Sequence, residues 1–324
     1  MTAHERPRVI VSRCIEFDRC RWNGLMITSE IVKKLKEFVD FETVCPEVGI
    51  GLGVPRKPIR LVGSEKKLRL VQPDTGKDLT ADMTRFSSVF LEAVGAIDGF
   101  ILKDRSPTCG NKDVKIYPKE GKVAPVTTKG SGIFGGKAAE TFPRLAIETE
   151  GRLNNFRIRE HFLTKLFLLA RFRTVKESDE MGGLVAFHTE NKLLLMAYNQ
   201  AVLRELGRIV ANPEHREPSK IIGDYETLLA RAFARASRHT SNINVLMHAL
   251  GYFKEGLNTG EKSFFLDTLE RYRDSKVPLS VCIEIIRSWV VRFQEPYLSR
   301  QTYFSPYPEA LVAITDSGKG RDAP

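Results

Sequence analysis

The sequence predicts an α/β domain built on a parallel, Rossmann-like sheet, followed by an all-α domain. Two observations carry this expectation. Across residues 1–150, short β-rich runs alternate with segments of helical period, which implies parallel strands with helices on the sheet faces. From about Asn154 the period becomes helical throughout, with glycine, proline and asparagine between several segments. The expected divisions are 1–150 for the α/β domain, 151–314 for the helical domain and 315–324, "TDSGKGRDAP", for a disordered tail.

In order, "RVIVS" (Arg8–Ser12) reads as the first strand. "TSEIVKKLKEFV" (Thr28–Val39) carries apolar residues at helical spacing, with Thr28 or Ser29 placed to cap its start. "FETVC" (Phe41–Cys45) is a second strand, "ADMTRFSSVFLEAV" (Ala81–Val94) a second helix and "GFILK" (Gly99–Lys103) a third strand. "KGSGIFGGKAAETF" leads into a helix and "RLAIETE" (Arg144–Glu150) into a fourth strand. Six helical segments follow, opening with "FRIREHFLTKLFLLARFR" and closing with "PLSVCIEIIRSWVVRFQ".

Composition narrows the setting. The chain has 324 residues and a net charge of +10. Residues 1–150 hold 25 Lys+Arg against 20 Asp+Glu, and the remainder the same, so the excess is not a basic tail. An evenly basic protein suits a polyanionic partner such as RNA. Five cysteines with irregular spacing do not form a disulfide framework, and no apolar run is long enough to span a membrane. A cytoplasmic location is expected, and the oligomeric state is left open.

The cysteines fall at telling places. Cys14 follows the first strand, Cys45 closes the second and Cys109 lies in the loop after the third. In open parallel sheets the carboxyl ends of the strands form the ligand crevice, so three thiols distant in sequence converge on one edge. Three thiolates suit a soft metal centre, an iron–sulfur cluster or zinc. Cys20, six residues after Cys14, is open to being a fourth ligand but reads better as a loop thiol, and Cys282 reads as core packing. The glycines of "GIGLGVPR" (Gly49–Arg56) are followed by no helical pattern, so they do not make a dinucleotide fingerprint.

With "VSRCIEFDRCRWNG" (Val11–Gly24), "CPEVGIGLGVPRKPIRLV" (Cys45–Val62) and "LKDRSPTCG" (Leu102–Gly110), the first half resembles the thiouracil desulfidase (TudS-like) family. The second half is similar to the YbgA-like domain in "KLLLMAYNQAVLRELGRIVA", "NVLMHALGYF" and "YLSRQTYFSPYP". The resemblance implies a [4Fe–4S] cluster on Cys14, Cys45 and Cys109, with Glu47 and Ser106 in catalysis. The short desulfidases read Cys-Leu-Leu-Gly and Arg-Tyr-Asp-Gly where this chain has Cys14-Ile15-Glu16-Phe17 and Arg21-Trp22-Asn23-Gly24. That departure resembles the two-domain branch acting on 4-thiouridine in tRNA.

The expected chemistry replaces C=S by C=O, with the unligated iron taking the sulfur and Glu47 activating water. Ser106 is placed to hydrogen-bond the base or the substrate. Arg56 and Lys103 are candidates for contact with substrate or phosphate. Arg231, Arg235 and Arg238 recur at i, i+4 and i+7, which on one helix forms a face able to follow RNA phosphates. The partners expected are tRNA or a thiolated nucleoside. Two other readings use the same residues: a zinc-dependent hydrolase on the three cysteines, and a non-enzymatic iron–sulfur protein that binds RNA or senses.

Overall fold

The computed structural model of the protein describes residues 4–64 and 67–312. The expected tail at 315–324 lies outside the described residues. The chain divides into two compact units, one of Glu5–Ala170 with the described residues from Pro308, the other of Arg171–Tyr307 with His4.

The first unit holds the parallel sheet. Its strands are β1 (Arg8–Ser12), β2 (Asp40–Val44), β6 (Gly99–Leu102) and β9 (Ala146–Thr149), in the order β2-β1-β6-β9. All three pairings are parallel, with Ser12 opposite Val44 and Val11 opposite Ile101. Parallel strands need connections that cross over, and helices supply them. The helices are α1 (Glu30–Leu35), α2 (Pro46–Gly49), α3 (Thr80–Ala93) and α4 (Ile133–Thr141).

The first helix is shorter than Thr28–Val39. Ser29 takes the N-cap position, but its hydroxyl makes no capping bond. The Glu16 carboxylate instead accepts the Ser29 backbone N–H at 2.6 Å.

A second sheet, absent from the sequence reading, has the order β5-β4-β3-β7-β8. It comprises β3 (Arg60–Ser64), β4 (Lys67–Gln72), β5 (Lys77–Asp78), β7 (Val114–Tyr117) and β8 (Thr127–Gly130). Its pairs are antiparallel except β3 with β7. The alternation in "KLRLVQ" was the available signal. Helix α3 serves both sheets. Leu91 packs with Ile10, Val44, Phe100 and Phe134 under the parallel sheet, while Met83 packs with Leu61, Leu70 and Ile116 under the other.

Helix α5 (Phe156–Ser178) begins in the first unit, where Lys165 Nζ donates to the Leu145 carbonyl at 2.9 Å. The second unit holds the rest of α5 and the helices α6 (Met181–Glu190), α7 (Lys192–Ala211), α8 (Pro218–Ala232), α9 (His239–Gly251), α10 (Thr259–Arg273) and α11 (Leu279–Phe293). Helix α6 was not foreseen as an element, and α7 is interrupted at Asn199, whose backbone is extended. Cys282 is fully buried on α11, as expected of core packing. Among the described residues no helix is long and apolar enough to cross a membrane.

Candidate functional site

The parallel order sets β2, β1 and β6 side by side, so their carboxyl ends share one edge. Cys14 lies two residues past β1, Cys45 is the N-cap of α2 directly after β2, and Cys109 sits in the loop after β6. All three line one cavity of about 330 Å³, which Ser12, Cys20, Trp22, Glu47, Arg56, Lys103 and Ser106 also line.

The Cys109 loop is held by the start of α4. The first amides of a helix have no intrahelical acceptor and must find one elsewhere. Here Ile133 N–H donates to the Pro107 carbonyl at 3.3 Å and Gly135 N–H to the Thr108 carbonyl at 3.0 Å. Gly132 N–H, just before α4, donates to the Gly110 carbonyl at 2.8 Å. So close an approach needs glycine. A Cβ on Gly132 would stand 2.3 Å from the Thr108 carbonyl oxygen, and one on Gly135 2.3 Å from that of Cys109. The glycine run of "KGSGIFGGK" is the seat of the cysteine loop.

The thiols are mutually close. Cys20, foreseen as a loop thiol, is buried and hydrogen-bonds with both Cys14 and Cys45. The contact with Cys14 and burial push the Cys20 thiol up to about 11, against the opposing effect of Cys45. The hydrogen bond with Cys20, and then burial, hold the Cys45 thiol well above the usual range. Burial does the same to Cys109, opposed by the neighbouring side chains of Ser12 and Ser106. Among the described residues, no group of three or more His, Cys, Asp or Glu is arranged to hold a single metal ion.

Glu47, on α2, is fixed from two sides. Its Oε2 accepts from Arg56 Nε at 2.7 Å and from Nη2 at 2.5 Å, a bidentate pair buried to 6% and 13% side-chain exposure. Its Oε1 accepts from the Thr108 hydroxyl at 2.5 Å. Ser106 Oγ accepts the backbone N–H groups of Thr108 at 3.2 Å and Cys109 at 3.1 Å, and stands 2.9 Å from Thr108 Oγ1. Because the Thr108 hydroxyl gives its hydrogen to Glu47, the Ser106 hydroxyl is left to donate to Thr108. A directed chain therefore runs from Ser106 through Thr108 to Glu47. Ser106 follows Arg105, a non-glycine residue in the left-handed region at φ 56°.

The other predicted residues divide. Arg56 reaches the site but spends its guanidinium on Glu47 and on the carbonyls of Cys20 (3.0 Å) and Gly53 (3.2 Å). Lys103 lines the cavity and pairs with Glu150, just past β9. Arg231, Arg235 and Arg238 do not share a helix face. Helix α8 ends at Ala232, because Phe233 turns into the core beside Tyr198 with ring centroids 4.1 Å apart. Arg238 is the N-cap of α9, and Arg231 pairs with Glu205 at 2.5 Å. Sequence reasoning missed Thr108, the Arg56–Glu47 pair and the Ser12 contact with Cys109. The only signal for Thr108 was its place inside "SPTCG".

Residues 9–150 match the family model described as 2-thiouracil desulfurase, and residues 192–308 match the one described as protein of unknown function (DUF1722). The uncharacterized protein YbgA of Escherichia coli (strain K12) is 25% identical over 161 residues, covering 49% of this chain and 95% of its own length. The uncharacterized protein YbbK of Bacillus subtilis (strain 168) is 26% identical over 151 residues, covering 44% of this chain and 96% of its own. The solved [4Fe-4S]-dependent thiouracil desulfidase TudS is 26% identical, covers 46% of this chain and 93% of that one, and superposes with a TM-score of 0.37.

Proposed function

We propose that this chain, in which a segment matching the 2-thiouracil desulfurase family precedes one matching DUF1722, is a [4Fe–4S]-dependent desulfidase that turns a thiolated uracil into uracil with release of hydrosulfide. The observation that carries the reading is the meeting of Cys14, Cys45 and Cys109 with the Ser106–Thr108–Glu47 chain around one cavity. The donor set fits the group. Three soft sulfurs come from three strand ends and line one cavity, a donor set that suits an iron–sulfur centre. Cys14, Cys45 and Cys109 would hold the cluster, which when bound supplies a thiophilic, Lewis-acidic iron.

The remaining work falls to the chain. Glu47 is an acceptor at rest, since every neighbour described above donates to it. Arg56 fixes one carboxylate oxygen and Thr108 the other, so the base stands ready before substrate enters. When Glu47 takes a proton from water, the Thr108 hydroxyl turns to accept from it, a rotation that moves no backbone. The finer reading, 4-thiouridine within tRNA, draws on the net charge of +10 spread evenly along the sequence.

The test is anaerobic reconstitution with iron and sulfide, then incubation with 2-thiouracil, 4-thiouracil, 4-thiouridine and thiolated tRNA. Hydrosulfide and the oxygenated base should appear in equal amounts, most rapidly from tRNA. A loaded protein that releases hydrosulfide from none of the four overturns the reading. Release from free bases but not from tRNA overturns only the finer part.

A further inference from the structure

One large aromatic side chain at the cavity has no structural duty. Trp22 lines the cavity and remains 46% exposed. A tryptophan left half in water gives up much of the burial that makes the residue useful to a core. Single exposed apolar residues are ordinary, but Trp22 does not stand alone. Leu25 and Val54 are exposed beside it in the fold. Arg21 N–H donates to the Leu25 carbonyl at 3.3 Å, and the segment after Val54 is joined to Trp22 by the Arg56 N–H, which donates to the Trp22 carbonyl at 2.7 Å.

The backbone under Trp22 is fixed as well. Gly24, at φ 72°, closes the turn through its N–H to the Arg21 carbonyl at 2.9 Å. Arg56 thus holds the Trp22 carbonyl with its amide and Glu47 with its guanidinium. The exposed indole and the base are tied to one residue.

We propose that Trp22 is the stacking platform for the thiolated ring of the substrate, an inference that rests on the desulfidase reading above. A thiolated uracil is planar, with apolar faces and polar edges. An indole engages a face and leaves the edges free for Glu47 and Ser106, which line the same cavity. Holding the indole on a pinned turn lowers the ordering cost of binding. The platform also bears on selectivity, since stacking tolerates any pyrimidine face. Trp22 would set how tightly a ring binds, and the choice between sulfur and oxygen would fall to the polar groups of the cavity.

The chain contains two tryptophans, and Trp289 is buried on α11. In the full-length Trp289→Phe protein, Trp22 is the sole indole emitter. Titration with 4-thiouridine, whose near-ultraviolet absorption overlaps indole emission, should give saturable quenching there, and none in Trp22→Phe. In turnover, Trp22→Leu should raise KM on the order of tenfold or more with kcat little changed, while Trp22→Phe recovers most of the loss. Equal saturable quenching in both single-tryptophan proteins, or a wild-type KM in Trp22→Leu, overturns the proposal. The two failures are distinguishable. A wild type that quenches on binding but frees no hydrosulfide leaves Trp22 as a ring-binding residue and removes the desulfidase reading.

Discussion

The deepest ion pairs of the two units differ. In the α/β unit, Arg56 with Glu47, Lys103 with Glu150 and Arg152 with Glu148 pair largely out of water, beside exposed pairs such as Arg6 with Asp40. In the helical unit Arg171 with Glu190 is half-buried, while Arg231 with Glu205, at 55% and 40% side-chain exposure, and Arg273 with Glu270 lie on the surface. Taking two charges from water costs several kcal/mol per ion, and mutual attraction only offsets this when geometry is good. A fold does not need such pairs for stability. Arg56, Glu47 and Lys103 line the cavity, so part of its shape is set by buried charge, whereas the helical unit is held by its apolar core.

Four experiments bear on this contrast. The largest effect is expected at the thiols. Alanine at Cys14, Cys45 or Cys109 should abolish iron uptake, read as loss of visible absorbance after reconstitution. Alanine at Cys282, on the helical side, should leave iron uptake intact and cost about 1 kcal/mol in folding. Retained iron in the first three variants would remove the cluster from the α/β unit. Next, Glu47→Gln should lower kcat by roughly 10²–10⁴ with absorbance unchanged, the range general-base catalysis supplies. A wild-type kcat would show that the buried pair is structural.

Third, Arg56→Met leaves a buried carboxylate without its cation and should destabilise the α/β unit by about 3–5 kcal/mol. Arg231→Ala should cost under about 1 kcal/mol. Because each unit carries one tryptophan, urea unfolding of Trp289→Phe and Trp22→Phe backgrounds reads the two units separately. Equal shifts for the two arginine variants would erase the contrast. The smallest effects concern glycine. Gly135→Ala drives a methyl into the Cys109 carbonyl and should cost about 1–3 kcal/mol, whereas Gly223→Ala at an exposed position of α8, where a Cβ meets nothing within 4 Å, should gain about 0.5–1 kcal/mol. Midpoints moving in the same direction would contradict the assignment of tight and open backbone.

How much of this was legible follows from range. The parallel sheet and the convergence of Cys14, Cys45 and Cys109 were readable because strand ends in such sheets share an edge whatever the loops do. The second sheet escaped because β5 has two residues and β3 finds β7 across about a third of the α/β unit. Arg56 and Glu47 are nine residues apart, too far for a local rule, and meet only because the "GIGLGVPR" turn folds back. The arginine face at 231–238 was misread for a related reason. Helical spacing alone continued the helix, but burial of Phe233 ended it. Local pattern set the elements, and tertiary contact decided which charges were spent inside.

One feature of the fold bears on how the chain is to be handled. After the helices, the backbone returns to the first unit, where the single turn Glu309–Leu311 lies against α1 with Leu311 fully buried. The helical unit is therefore an insertion in the chain of the first unit. A fragment stopped after Ala170 would strip a cover from α1 and is expected to self-associate, even though it carries every thiol of the site. Supplying residues 300–312 as a separate peptide should restore its solubility. The unit that carries Cys14, Cys45 and Cys109 is, in the literal sense of its connectivity, completed last.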